Sequence, residues 1–221
     1  MSGTISAWPP SNGVTTKVVP RSSAILQLSH ATTVHAPAAL VFDAVLRVKD
    51  YPLWNTWVPC ARIVKQEEVS SARDVDPSDF GTMRIGSILE FDVVMDAQKP
   101  NSINKTSLRV LDVSTPAAPS SYLPPALLED ACFTADLSKV YRVSWTGHGG
   151  MCAFGMSLER FHEVIIRGED ECELRTWEVM SGWLARVVKV MYEGTLRGKV
   201  ELWCTDLKKY SEEQYEGVKK A

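Results

Sequence analysis

Three polar side chains in the last third of the chain have the types and spacing for acid–base chemistry: Arg160, His162 and Glu178. Leu158–Arg167 and Cys172–Ser181 both alternate with a period of two, and Gly168-Glu169-Asp170 between them is a turn signal, so the stretch reads as a β-hairpin. Alternation puts Arg160, His162, Val164 and Ile166 on one face of the first strand, opposite Glu159, Phe161, Glu163 and Arg167. In the second strand it groups Leu174, Thr176, Glu178 and Met180 against Arg175, Trp177 and Val179. A three-residue turn at 169–171 sets His162 directly opposite Glu178, with Cβ atoms about 5 Å apart. A carboxylate hydrogen-bonded to an imidazole fixes its tautomer and raises its basicity, which makes a general base near neutral pH. Arg160, one step along that face, would stabilise the enolate or phenolate left when a proton is removed. The same trio is also what a self-neutralising charge network contains, because buried charges must be paired.

Residues 1–21 carry Pro9, Pro10, Gly13 and Pro20 with little periodicity, and are expected to form a flexible lead-in. A strand over 22–34 follows, then Pro37 opens a helix through Leu46, and Asp50 is the expected N-cap of a short second helix at 51–55. Further strands are expected at Cys60–Gln66, Ser87–Ala97, Lys105–Ser114 and Val140–Thr146, before the hairpin. From Trp183 to about Tyr210 an apolar stripe at 3.6-residue spacing marks a long helix. Gly182 stands at the corner before it, and Gly194 and Gly198 inside it imply either close packing or room for a ligand. Two stretches fit no element, 67–85 and the proline-rich 115–137 with its apolar Tyr122–Leu128. Such long connections are commonly lids, binding loops or surface inserts. The order is β-α-α-β6-α in one domain spanning 22–221.

Composition excludes several classes. A net charge of −3, with no run of Lys or Arg longer than two, argues against a nucleic-acid partner. The five cysteines are scattered and form no C-x-x-C pair, so neither a zinc site nor a redox motif is expected. G-x-G-x-x-G, P-loop, H-E-x-x-H and G-x-S-x-G motifs do not occur, which leaves nucleotide cofactors, zinc proteolysis and Ser-hydrolase chemistry without support. No cofactor and no metal are expected. The first residues lack the basic and apolar regions of a signal peptide, and no stretch approaches the 18 apolar residues a membrane helix needs. A cytoplasmic protein without stable membrane insertion is the expectation.

Several strings resemble the START / polyketide-cyclase (SRPBCC, Bet v 1-like) superfamily. Val34-His35-Ala36-Pro37-Ala38-Ala39-Leu40-Val41-Phe42-Asp43 is similar to its strand, Ala-Pro, helix opening. Asp50-Tyr51-Pro52-Leu53-Trp54-Asn55 resembles the Asp-x-Tyr-Pro-x-Trp-Asn of its second helix. Val143–Gly147, Arg160–Val164 and Thr176–Leu184 look like its last three strands and helix entry. The resemblance spans about 22–210. It implies an α+β helix-grip fold, a curved antiparallel seven-stranded sheet around a long C-terminal helix with two short helices between the first two strands.

In such a fold the concave face lines a cavity, and the resemblance turns the Arg160/His162 and Thr176/Glu178 faces inward. Phe161 and Trp177 would then face outward. Phe91, Tyr141, Trp145, Thr176 and Met180 from the sheet, with Leu184, Val188 and Met191 from the helix, are the expected ligand-binding wall. The superfamily holds both enzymes and carriers, so fold does not settle function. One expectation is a cofactor-free cyclase, dehydratase or isomerase of a hydrophobic polyketide- or terpenoid-like intermediate. The other is a non-catalytic carrier of a lipid or quinone-like molecule, for which the apolar Leu123–Leu128 could touch a membrane.

Overall fold

The computed structural model describes residues 9–10, 13–66, 81–123, 125–128 and 136–220. Strand β1 (Ala24–Val34) leads into helices α1 (Ala38–Leu46) and α2 (Tyr51–Trp54). Strands β2 (Cys60–Lys65), β3 (Ile88–Val94), β4 (Ile103–Ser114) and β5 (Val140–Gly147) follow, with the short helix α3 (Pro125–Leu128) between the last two. Strands β6 (Ser157–Ile166) and β7 (Cys172–Ser181) precede helix α4 (Trp183–Lys220), which is 38 residues long. The seven strands form one antiparallel sheet in the order β1-β7-β6-β5-β4-β3-β2. Register shifts in β1, β2 and β4 bend it, since an extra residue on one strand increases local twist. This is the helix-grip architecture expected from the sequence.

Pro37 occupies the N-cap of α1, where its missing N–H costs nothing. Asp50 stands at the N-cap of α2 as expected, but its side chain makes no capping hydrogen bond. Of the 67–85 connection, 67–80 lie outside the described residues. Residues 81–83 tie back to the end of α1, with Val48 N–H donating to Gly81 O (2.9 Å) and Met83 N–H to Leu46 O (2.9 Å).

The concave face is filled at one end by the C-terminal part of α4 together with α1 and α2. Trp203 is the hub: Tyr51, Trp54 and His162 lie 5.3, 5.1 and 4.9 Å from it between ring centroids. Gly182 has φ +98°, and a Cβ there would sit 2.2 Å from Gly155 O, so only glycine turns this corner. Leu184 N–H closes the corner by donating to Gly155 O (3.1 Å).

The convex face has a second core. Phe161 and Trp177 stack at 4.0 Å and 8°, and Val179, Leu123, Leu127, Val14 and Val19 close over them. Outward-facing aromatic residues are therefore not exposed; they are covered. The cover comes from residues 13–20, expected to be flexible, and from the described part of the 115–137 connection. The apolar residues of neither segment show a helical or strand period, so periodicity does not bring the two together.

Candidate functional site

The hairpin β6–β7 carries the polar residues of the concave face, but its register differs from the expected one. Arg167 N–H and Gly168 N–H both donate to Glu171 O (3.0 and 2.9 Å), so the turn closes around 168–170, one residue earlier than 169–171. The register consequently moves by two. Arg160 pairs with Glu178, and His162 pairs with Thr176 rather than with Glu178. A shift of two leaves every side chain on its expected face, yet it dissolves the carboxylate–imidazole pair.

Arg160 and Glu178 instead form a salt bridge, Arg160 Nε donating to Glu178 Oε2 at 3.0 Å, and an Nη group binds the same oxygen. The guanidinium also lies over the Trp57 ring, 4.8 Å from its centroid. His162 is fully buried between the Trp145 and Trp203 rings, with centroids at 4.4 and 4.9 Å. Its Nδ1 lies 2.9 Å from Thr176 Oγ1, and its Nε2 has no hydrogen-bond partner among the described residues. Burial, with the Arg160 charge adding to it, pushes the imidazole pKa well below its ordinary value, so the ring is neutral at pH 7.

A cavity of about 580 Å³ opens between the sheet and the N-terminal half of α4. Arg160 and Glu178 line it, with Trp57, Phe91, Trp145 and Met180 beside them in its buried part. Leu184 and Val188 of α4 form the facing wall, and Ile103, Asn104 and Lys105 form an exposed rim. Thr106 joins the wall because β3–β4 register sets it beside Phe91.

Three expected wall residues are elsewhere. Tyr141 packs on Phe42 of α1 (5.3 Å), at the other end of the sheet. Thr176 is buried against His162 and Cys204 and does not reach the cavity wall. Met191 points to solvent, 63% exposed, because α4 turns that face away from the sheet. His162 likewise contributes nothing to the cavity wall. Trp57, Tyr192 and Leu158 line the cavity and were missed; Trp57 lies in a loop, where no periodicity assigns a face. The apolar patch at Leu123 and Leu127 is buried on the convex side, so these two residues have no part in the cavity mouth. Among the described residues no group of three or more His, Cys, Asp or Glu is arranged to hold a metal ion.

No protein-family model matches the chain. A START superfamily protein from Mycobacterium smegmatis has a similar structure, with a TM-score of 0.54 at 16% identity, over 87% of this chain and 98% of that one. The di-domain ARO/CYC protein StfQ of the steffimycin biosynthetic pathway gives 0.50 at 13% identity; the match covers 86% of this chain and 46% of StfQ. The chain thus has the helix-grip fold of the START / polyketide-cyclase (SRPBCC, Bet v 1-like) superfamily. At such identities the shared property is the fold. In sequence, the chain is 35% identical over 60 residues to "Oxopyrrolidines biosynthesis cluster protein O" of Penicillium oxalicum, a match spanning 27% of this chain and 30% of that protein.

Proposed function

We propose that the cavity binds a hydrophobic small molecule and that the protein converts it without a cofactor, as a cyclase, dehydratase or isomerase of a polyketide- or terpenoid-like intermediate. The observation that carries this reading is one Arg–Glu pair set in an otherwise largely apolar cavity of ligand size. A ligand carbonyl oxygen accepts a hydrogen bond from Arg160, which draws the guanidinium partly off Glu178. Glu178 then removes the proton on the carbon next to that carbonyl, and the electron pair passes to the oxygen as an enolate held by Arg160. Attack of the enolate carbon on a second carbonyl closes a ring, and Glu178 returns the proton to the new alkoxide. In this scheme Glu178 is the base, and neutral His162 supports the wall from behind. The ARO/CYC neighbour and the biosynthesis-cluster name of the Penicillium relative add support of a general kind.

The test is incubation with a linear poly-β-ketone thioester, with products followed by mass spectrometry. Accelerated ring closure by the wild type, lost in Glu178→Gln and Arg160→Met proteins of unchanged circular dichroism, supports the reading. Product ratios equal to the spontaneous ones would sink it. A second reading, a carrier, is favoured by the mutual satisfaction of Arg160 and Glu178, which lets apolar cargo enter without leaving a charge unpaired. A lipid or quinone found at near-unit occupancy by native mass spectrometry would select it.

A further inference from the structure

A contiguous apolar patch lies beside the mouth of the cavity. Phe154, Trp183, Val190 and Met191 are 82%, 63%, 87% and 63% exposed, and Val187 is 40% exposed on the same face of α4. At 3.6 residues per turn, positions 183, 187, 190 and 191 share one face of α4. Trp183 Nε1 donates to the Phe154 carbonyl (3.2 Å), which joins the loop before β6 to the same surface. Val187 belongs both to this patch and to the cavity wall, and exposed Ile103 stands on the opposite rim. Single exposed apolar residues are ordinary, but a patch gathered at an opening marks an interaction site.

The surrounding charge is distinctive. Residues 183–200 hold four cationic residues, of which Lys199 is buried, and one acidic residue, in a chain whose net charge is −3. Arg186 borders the apolar face of α4, Arg197 on the same side is paired with Glu193 (2.6 Å), and exposed Lys105 lies across the mouth.

We propose that this rim docks on the surface of an anionic lipid bilayer, with the N-terminal half of α4 lying in the interfacial layer and the cavity mouth turned toward the acyl chains. Aromatic and aliphatic side chains on one face, bordered by Arg, are the chemistry of a helix that lies in the interface. The contact is peripheral, since no helix among the described residues is long and apolar enough to cross a membrane. It rests on the proposed function only in that the ligand is apolar. Such a molecule then passes between bilayer and cavity without crossing water, whether it is afterwards converted or merely carried.

The experiment is flotation of the ligand-free full chain with vesicles of phosphatidylcholine alone and of phosphatidylcholine mixed with phosphatidylserine. The wild type is expected to float with the mixed vesicles, less so as salt is raised. Val190→Asp, at a position too exposed to disturb folding, is expected to weaken binding about tenfold. Arg186→Glu is expected to weaken it roughly fivefold or more on the anionic vesicles only. Wild-type protein that floats with neither composition would overturn the proposal. So would a concentration-dependent dimer that Val190→Asp dissociates, because the patch would then belong to a second copy. Flotation needs no substrate, so it stands or falls separately from ring-closing activity.

Discussion

The sheet buries an Arg–Glu pair on each face, and the two have opposite surroundings. On the convex side Arg142 Nε donates to Glu163 Oε1 (2.9 Å), Trp177 Nε1 donates to Glu163 Oε2 (3.0 Å), and both charged side chains are at most 1% exposed. On the concave side Arg160 and Glu178 are 12% and 3% exposed and border a cavity. Both are cross-strand partners in register, Arg142 with Glu163 and Arg160 with Glu178. The chemistry is the same; access is not. A pair wholly buried on the convex side can only hold structure, whereas a pair at a cavity can exchange its partner for a ligand.

The sharpest way to break this comparison is to remove one acid from each pair. Glu163→Ala takes one carboxylate from the fully buried Arg142 and the acceptor from Trp177 Nε1, and is expected to cost about 3–5 kcal/mol in urea unfolding. Glu178→Ala leaves Arg160 beside the cavity, where water can reach it, and is expected to cost about 1–3 kcal/mol. Equal losses at the two sites would erase the distinction. Binding of a fluorescent apolar probe is expected to change in the Glu178 variant and to stay as in the wild type in Glu163→Ala protein that remains folded.

The imidazole behind the cavity sharpens the comparison through pH. His162 is held neutral in the folded protein, whereas in the unfolded chain it takes up a proton below its ordinary pKa of about 6.5. Folding therefore loses up to about 1.4 kcal/mol for each pH unit below that point, until the buried ring's own depressed pKa is reached. Above pH 7 this group adds no pH dependence to stability. Unfolding of wild type and His162→Asn between pH 7.5 and 5 checks this, with the variant expected to show the shallower loss. Parallel profiles would mean that the ring is not desolvated.

The smallest effect concerns α4 itself. A Cβ at Gly194 or Gly198 would meet nothing within 4 Å, so these glycines serve neither close packing nor the cavity wall. Gly194→Ala and Gly198→Ala are each expected to stabilise the protein by roughly 1 kcal/mol, the ordinary helix-propensity difference, without touching probe binding. A loss of stability would show that the face is covered in solution.

The seven strands, the long C-terminal helix and the sharing of one face by Arg160, His162 and Glu178 were all readable from the amino-acid sequence. Periodicity of two and of 3.6 is a local property, and local sterics decide it. The exact partner of each polar residue was not readable, because one residue in the turn at 168–170 moves the register by two while leaving the pattern of faces unchanged. Tertiary structure alone decided which face of α4 leaves the sheet, which put Met191 in solvent and Tyr192 on the cavity wall. It also decided that residues 13–20 and α3 cover Phe161 and Trp177. The contacts of residues 13–20 join parts of the chain more than a hundred residues apart, and the apolar residues of both covering segments carry no period that could announce a partner.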